Sequence, residues 1–204
     1  RRHVLPHVLE RRLAAERGAR RLVLPRVAVA SFYVDQFPAQ DLARAVAAEH
    51  GVPIYPSIVP IAQTLGADAI LQVAPFYNKP TQAGLYAHFR AISEAVPEMP
   101  IVIYNVPGRT SSNISAETTL RLARDFENIV AVKEASGDLS QIMHILHGRP
   151  EGFLVLSGDD SITFALIALG GDGLISVASN EAPELMSRMV NLALQKKWDE
   201  AREL

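Results

Sequence analysis

The sequence predicts an α/β fold, an incomplete (β/α)8 TIM barrel of about five strands, and three observations predict it. Five short runs, 69–73, 101–104, 129–132, 153–156 and 174–177, are rich in β-branched residues and apolar at nearly every position. That is the pattern of strands covered on both faces. Helix-period segments separate them, giving strand, helix, strand in series. Polar side chains or glycine stand at every strand exit, where the chemistry of a βα barrel collects. An open doubly wound sheet would gather its special residues at one switch point instead.

Element by element, residues 8–19 suit a solvated helix, and 22–24, 27–30 and 32–34 look β-like. Asp41 can cap a helix over 42–50 that stops at Gly51. Residues 52–55 form a short extended run weakened by nearby prolines. The regular series then follows, with helices expected over 84–96, 116–126, 139–147 and 161–169. Ser115 stands where an N-cap belongs, and Gly148 and Gly170 stand where helices stop. Gly170-Gly171-Asp172-Gly173 follows a helix and precedes a strand, so it reads as a tight αβ turn rather than a phosphate loop. A last amphipathic segment, 183–204, has Pro183 in its first turn and Leu185, Met189, Leu192 and Leu194 along one side. Three parts result: an Arg-rich stretch 1–60, a partial barrel 61–182 and the start of a C-terminal helical region 183–204.

Composition narrows the function. Of 204 residues, 49% are apolar and 21% charged, with a net charge of −2, which is ordinary globular usage. The chain as a whole has no electrostatic reason to seek nucleic acid or an anionic membrane. Eight arginines fall in residues 1–26. No Tyr or Phe accompanies them to make a stacking platform. They read as the wet face of a helix, or as a stretch foreign to the domain that follows. The absence of cysteine excludes a thiolate nucleophile, a disulfide scaffold and Cys-ligated zinc or iron–sulfur sites. The longest apolar candidate for a membrane span, 164–178, is cut by its glycines and Asp172. No signal peptide opens the chain, so a cytoplasmic soluble protein is expected. The sequence begins at Arg1 and its first methionine is Met99, which reads as a piece of a longer protein.

Lys133 stands out among the strand exits. It closes the run 129–132, and alternation puts it on the side of Ile129 and Ala131. If that side faces the barrel interior, small Ala131 leaves space below it. Desolvation there disfavours the ammonium form, and a neutral amine captures a carbonyl as a Schiff base. The competing reading is an ion pair with Glu134 or Asp159. Tyr104 ends the preceding run as a proton relay or as an aromatic filling the barrel mouth. Arg109, in a Pro-Gly turn, can hold a carboxylate or simply lie on the surface. His144 and His147 lack a third ligand at metal spacing, and His3 and His7 flank Pro6. Asp159-Asp160 reads as the cap of the helix from Ser161 rather than as a cation site.

Four strings carry a resemblance: Pro75-Phe76-Tyr77-Asn78-Lys79-Pro80, Tyr104-Asn105-Val106-Pro107-Gly108-Arg109-Thr110, Val132-Lys133-Glu134-Ala135-Ser136-Gly137-Asp138 and Ser157-Gly158-Asp159-Asp160. In this order they closely resemble the 4-hydroxy-tetrahydrodipicolinate (dihydrodipicolinate) synthase family of pyruvate-dependent class I aldolases, over residues 61–204. The resemblance implies a (β/α)8 barrel with a C-terminal helical extension, usually a homotetramer. It implies condensation of pyruvate with L-aspartate 4-semialdehyde on the lysine and diaminopimelate route. No cofactor is implied, because a covalent lysine imine holds pyruvate.

Carried over, Lys133 resembles the Schiff-base lysine and Tyr104 the proton-relaying tyrosine. Tyr77 resembles the tyrosine lent by a neighbouring subunit, and Arg109 the arginine for the semialdehyde carboxylate. Ile175 and Gly158 match substrate-binding positions at the pyruvate site. Phe76 replaces a frequent tyrosine near the lysine-feedback pocket. The family's Gly-Thr-Thr-Gly-Glu motif has no counterpart in the sequence. Residues 1–60 do not resemble the family's first three βα units, and the chain stops short of its last helices. Five strands cannot close an eight-stranded barrel. The alternatives are another pyruvate aldolase, of the N-acetylneuraminate or keto-deoxy-sugar-acid type, and a non-catalytic fragment.

Overall fold

A computed structural model describes residues 68–76 and 79–204. The elements expected within 1–60 lie outside the described residues, as does Tyr77. Among the described residues five parallel strands, β1 (Ile70–Val73), β2 (Ile101–Asn105), β3 (Ile129–Glu134), β4 (Leu154–Ser157) and β5 (Gly173–Leu174), stand side by side in chain order. The helices between them are α1 (Gln82–Ala95), a one-turn α2 (Pro107–Thr110), α3 (Ala116–Asp125), α4 (Leu139–Gly148) and α5 (Thr163–Ala168), the last preceded by a 3-10 turn Asp160–Ile162.

Register explains the layering. The rows Ile70–Ile101–Ile129 and Ile103–Val132–Val155 meet Leu85 and Phe89 of α1, Leu122 of α3, Ile142 and Ile145 of α4 and Leu166 of α5 in one buried core. The row Leu71–Val102–Ala131–Leu154 builds a separate cluster on the other face, with Tyr104 and Ile175. Strands in unbroken sequential order, with their long crossover helices on one face, are an arc of a barrel. A doubly wound sheet reverses strand order and carries helices on both faces.

The caps follow the sequence signals. Ser115 accepts from the Thr118 N–H, Thr81 from the Gly84 N–H, and Asp138 from the N–H groups of Ser140 and Gln141. Asp138→Ala is therefore expected to cost about 1 kcal/mol through the lost α4 cap, read as a lower denaturation midpoint at unchanged m-value. Asp159 caps the 3-10 turn by accepting from the Ser161 N–H. The turn at 170–173 is structural: Asp172 accepts from the Val155 N–H at 2.9 Å and pairs with Arg149, which also donates to the Gly170 carbonyl.

Three expectations are corrected. β3 bulges between its pairings Ile101–Ile129 and Val102–Ala131. The extra residue, Val130, breaks the alternation, so Ile129 joins the helix-side core while Ala131 faces the other way. Lys133 keeps the side of Ala131 but not that of Ile129. The fifth strand is only Gly173–Leu174, because Asp160 Oδ2 accepts from the N–H groups of Val177 and Ala178 at 3.0 Å each and draws that stretch off the sheet into a 3-10 turn, Ala178–Asn180.

The last segment is two helices, α6 (Pro183–Leu194) and α7 (Trp198–Arg202). Lys196 turns to φ 62°, its N–H donates to the Ala193 carbonyl, and the Lys197 N–H donates to that of Leu192. That closes α6 as a Schellman motif. The side facing the body is Val190, Leu192 and Ala193, packed with Ile167, Trp198 and Ala201. Leu185 and Leu194 are exposed instead. Among the described residues no helix is long and apolar enough to cross a membrane.

Candidate active site

β2, β3 and β4 end in register, and their exits build the site. The row Val73–Tyr104–Lys133–Leu156–Gly173 crosses all five strands one pleat beyond the apolar Leu71–Val102–Ala131–Leu154 row. Lys133 thus stands above Ala131 and is only 8% exposed. Its Nζ lies 4.3 Å from the centroid of the Tyr104 ring, within cation–π range. Among the described residues no ion pair reaches it. Glu134 points to the opposite, helix-side face, and Asp159 is turned to the Ser161 N–H and hydroxyl at 2.9 and 2.7 Å. Burial pushes the Lys133 ammonium below its ordinary range, and the charge of Asp160 offsets part of that. A buried amine of lowered basicity beside a phenol is suited to attack a carbonyl carbon.

Gly158 follows β4, and its N–H donates to the Glu134 carbonyl at 2.8 Å. A Cβ there would meet Ala135 Cβ at 2.7 Å and Lys133 Cγ and Cε at 3.0 Å each. The missing side chain is what lets the lysine stem lie along the strand ends. Gly158→Ala should displace that stem, costing about 1–3 kcal/mol as other overpacking changes do and lowering the yield of any carbonyl adduct at Lys133. Denaturation and borohydride trapping check the two effects.

Ile175 packs against the Ala131 cluster and donates its N–H to the Ser157 carbonyl at 2.9 Å. Arg109 is exposed on α2, beyond the end of β2. The structure therefore gathers Lys133, Tyr104 and Gly158 in contact, with Ile175 in the apolar cluster below them. Arg109 stands apart. Among the described residues no group of His, Asp or Glu is placed to hold a metal ion.

Sequence reasoning missed the polar network behind the lysine. Glu134 is fully buried and accepts from Asn105 Nδ2 at 3.1 and 3.2 Å, the Ser136 N–H at 2.7 Å and Gln141 Nε2 at 3.1 Å. Asn113 joins the amides of Asn105 and Gln141, and Asn105 Oδ1 takes the Ile114 N–H at 3.0 Å. The carboxylate thereby fastens the loop after β2 to the strand that carries Lys133. The available signal was Asn105 and Glu134 at equivalent exits of adjacent strands.

Residues 58–204 match the dihydrodipicolinate synthetase family. The chain belongs to that family. A 4-hydroxy-tetrahydrodipicolinate synthase of Chlorobium phaeobacteroides is 57% identical over 143 residues, 70% of this chain and 48% of the relative. The crystal structure of dihydrodipicolinate synthase from Thermotoga maritima is 44% identical, with a TM-score of 0.69 over 71% of this chain and 50% of that one. A chloride-inhibited dihydrodipicolinate synthase from Acinetobacter baumannii, complexed with pyruvate, is 46% identical, with a TM-score of 0.68 over 71% of this chain and 49% of that one. The chain spans about half the length of the curated relatives it matches. Family membership accounts for the barrel arc and for the four motifs at its strand exits.

Proposed function

We propose that the protein acts as a class I aldolase of the 4-hydroxy-tetrahydrodipicolinate synthase type, condensing pyruvate with L-aspartate 4-semialdehyde in lysine and diaminopimelate biosynthesis. The observation that carries this reading is Lys133: an amine 8% exposed at a strand exit, of lowered basicity, beside the Tyr104 ring. Its nitrogen adds to the ketone carbon of pyruvate, and the carbonyl oxygen takes a proton and leaves as water. The resulting iminium acidifies the neighbouring methyl group, which loses a proton to give an enamine. The enamine carbon adds to the aldehyde, whose oxygen is protonated. The amine of the semialdehyde then displaces Lys133 from the imine carbon and closes the ring. The lysine itself is the electron sink, so the reaction needs no cofactor.

In this reading Tyr104 moves the protons, with Tyr77 of a neighbouring copy in a homo-oligomer completing the relay. Ile175 and Gly158 line the pyruvate position, and Arg109 meets the semialdehyde carboxylate by bidentate pairing. The setting is cytoplasmic. Incubation with pyruvate, borohydride reduction and peptide mass analysis test the reading. One pyruvyl group on Lys133 is expected. No adduct on a folded chain would reject it. Adding aspartate semialdehyde, or a sugar aldehyde, then distinguishes this synthase from the sugar-acid aldolases.

A further inference from the structure

Lys133 holds its nitrogen against an aromatic face, and three separate features of the fold keep the two together. Tyr104 and Lys133 are partners on the adjacent parallel strands β2 and β3, so both side chains leave the sheet on the same face. One residue on, Asn105 pairs with Glu134. There the Asn105 amide donates to both carboxylate oxygens at 3.1 and 3.2 Å on the reverse face, which locks that register. On the other flank of β3, Gly158 comes so close that a Cβ would stand 3.0 Å from Lys133 Cγ and Cε. The lysine stem lies between Gly158 and Tyr104, and Nζ is 4.3 Å from the ring centroid. The ring itself is half-buried on the cluster of Leu71, Val102 and Ala131.

The charged groups of the surrounding elements are accounted for. Lys79, after β1, and Arg109, on α2, are exposed. On β3 itself Glu134 is engaged on the opposite face, and Asp138 caps α4. After β4, Asp159 is spent on Ser161, and Asp160 accepts from the Val177 and Ala178 N–H groups while its charge favours the ammonium. Residues 173–180 carry no charged side chain. The face of an aromatic ring attracts a cation through its quadrupole, more strongly where water is excluded, and Lys133 is buried.

We propose that the ring face of Tyr104, apart from its hydroxyl, is the electrostatic seat of the cationic lysine nitrogen, favouring the ammonium before ketone capture and the iminium after it. The assignment takes Lys133 as the reactive amine and so rests on the reading above. Capture of a ketone by the neutral amine takes up one proton, releases water and leaves a positive charge on the nitrogen. The ring therefore favours the iminium over the neutral amine. It gives the iminium no advantage over the ammonium, whose charge sits on the same atom. That difference is a pH signature which packing alone does not have.

The test weakens the ring quadrupole at nearly constant shape. In the full chain Tyr104 is replaced by Phe and then by 4-fluoro-, 3,5-difluoro- and 3,4,5-trifluorophenylalanine. Labelling with trace acetic anhydride across a pH series, read by peptide mass, gives the titration midpoint of Lys133. It should fall steadily along the four chains, by about 0.5–1 unit in all. The same fluorinated residues at Phe126, which packs against Tyr86 on the helix side, should leave it within about 0.2 unit. Half-saturation of the borohydride-trapped pyruvate adduct is measured at equilibrium, so that loss of a proton relay does not enter. Above the midpoint it should need several-fold more pyruvate along the series, and below the midpoint a constant amount. A ring that merely filled space would move neither quantity. A midpoint unchanged from Phe to the trifluoro ring, or equal shifts in the Phe126 series, overturns the assignment. Should the trifluorinated chain fail to fold, the slope across the other three decides. A midpoint that falls as expected in a chain that captures no pyruvate rejects the aldolase reading and leaves the role of the ring standing. Capture with a flat midpoint rejects the role of the ring alone.

Discussion

Exchanging Glu134 for leucine is expected to destabilise the folded protein by several kcal/mol, since each donor left without its acceptor costs about 1–3 kcal/mol. The carboxylate is fully buried and receives hydrogen bonds from Asn105, Ser136 and Gln141. Leucine is close in size but accepts none of them, leaving the buried Asn105 and Gln141 amides and the half-buried Ser136 N–H each short of a partner. Glu134→Gln should cost less, about 1–3 kcal/mol, since one oxygen survives while the new amide confronts Gln141 Nε2. Adding Gln141→Glu converts that donor to an acceptor and should recover part of the loss. Chemical denaturation of the four proteins checks the order. Equal stability of Glu134→Leu and wild type would mean that the network is not closed in solution.

The same network shows where reading the sequence stops. Apolar runs announce β1 to β4 because a strand covered on both faces has no polar positions to disguise it. The exits of those strands are polar on both faces, and only one face leads to the site. Lys133 and Glu134 are neighbours in sequence, yet the pleat sends one towards Tyr104 and the other towards α4. Pattern alone pointed to Lys133, Tyr104 and Arg109 and named Glu134 only as a rival ion-pair partner of the lysine; neither pattern nor family motifs singled out the network of Glu134 and Asn113. The bulge at Val130 was invisible because Ile129-Val130-Ala131-Val132 is apolar throughout, so a one-residue slip changes no hydrophobic position. The end of β5 depends on Asp160, seventeen residues upstream of Val177. No local propensity at Ser176-Val177 encodes a carboxylate arriving from another loop.

Lys133→Met is expected to abolish the trapped pyruvate adduct completely while leaving the fold intact. The thioether replaces the lysine stem at similar volume, so the packing against Gly158 persists, and the nucleophile alone is gone. The stability change carries its own signature. The lysine is less basic folded than unfolded, because burial outweighs the help of Asp160. Between the lowered folded value and the unfolded value of about 10.4, the unfolded chain binds more protons. Stability therefore rises with pH through that window, and below it the folded state bears the full cost of keeping the ammonium buried. Methionine removes that titration. Wild type minus Lys133→Met should show a stability difference that grows in favour of wild type as pH climbs towards 10, measured by denaturation at constant ionic strength. A flat difference would place the amine in water, and a fall with rising pH would mean an ammonium held by a stronger partner than burial can oppose. Either result removes the neutral nucleophile on which carbonyl capture depends.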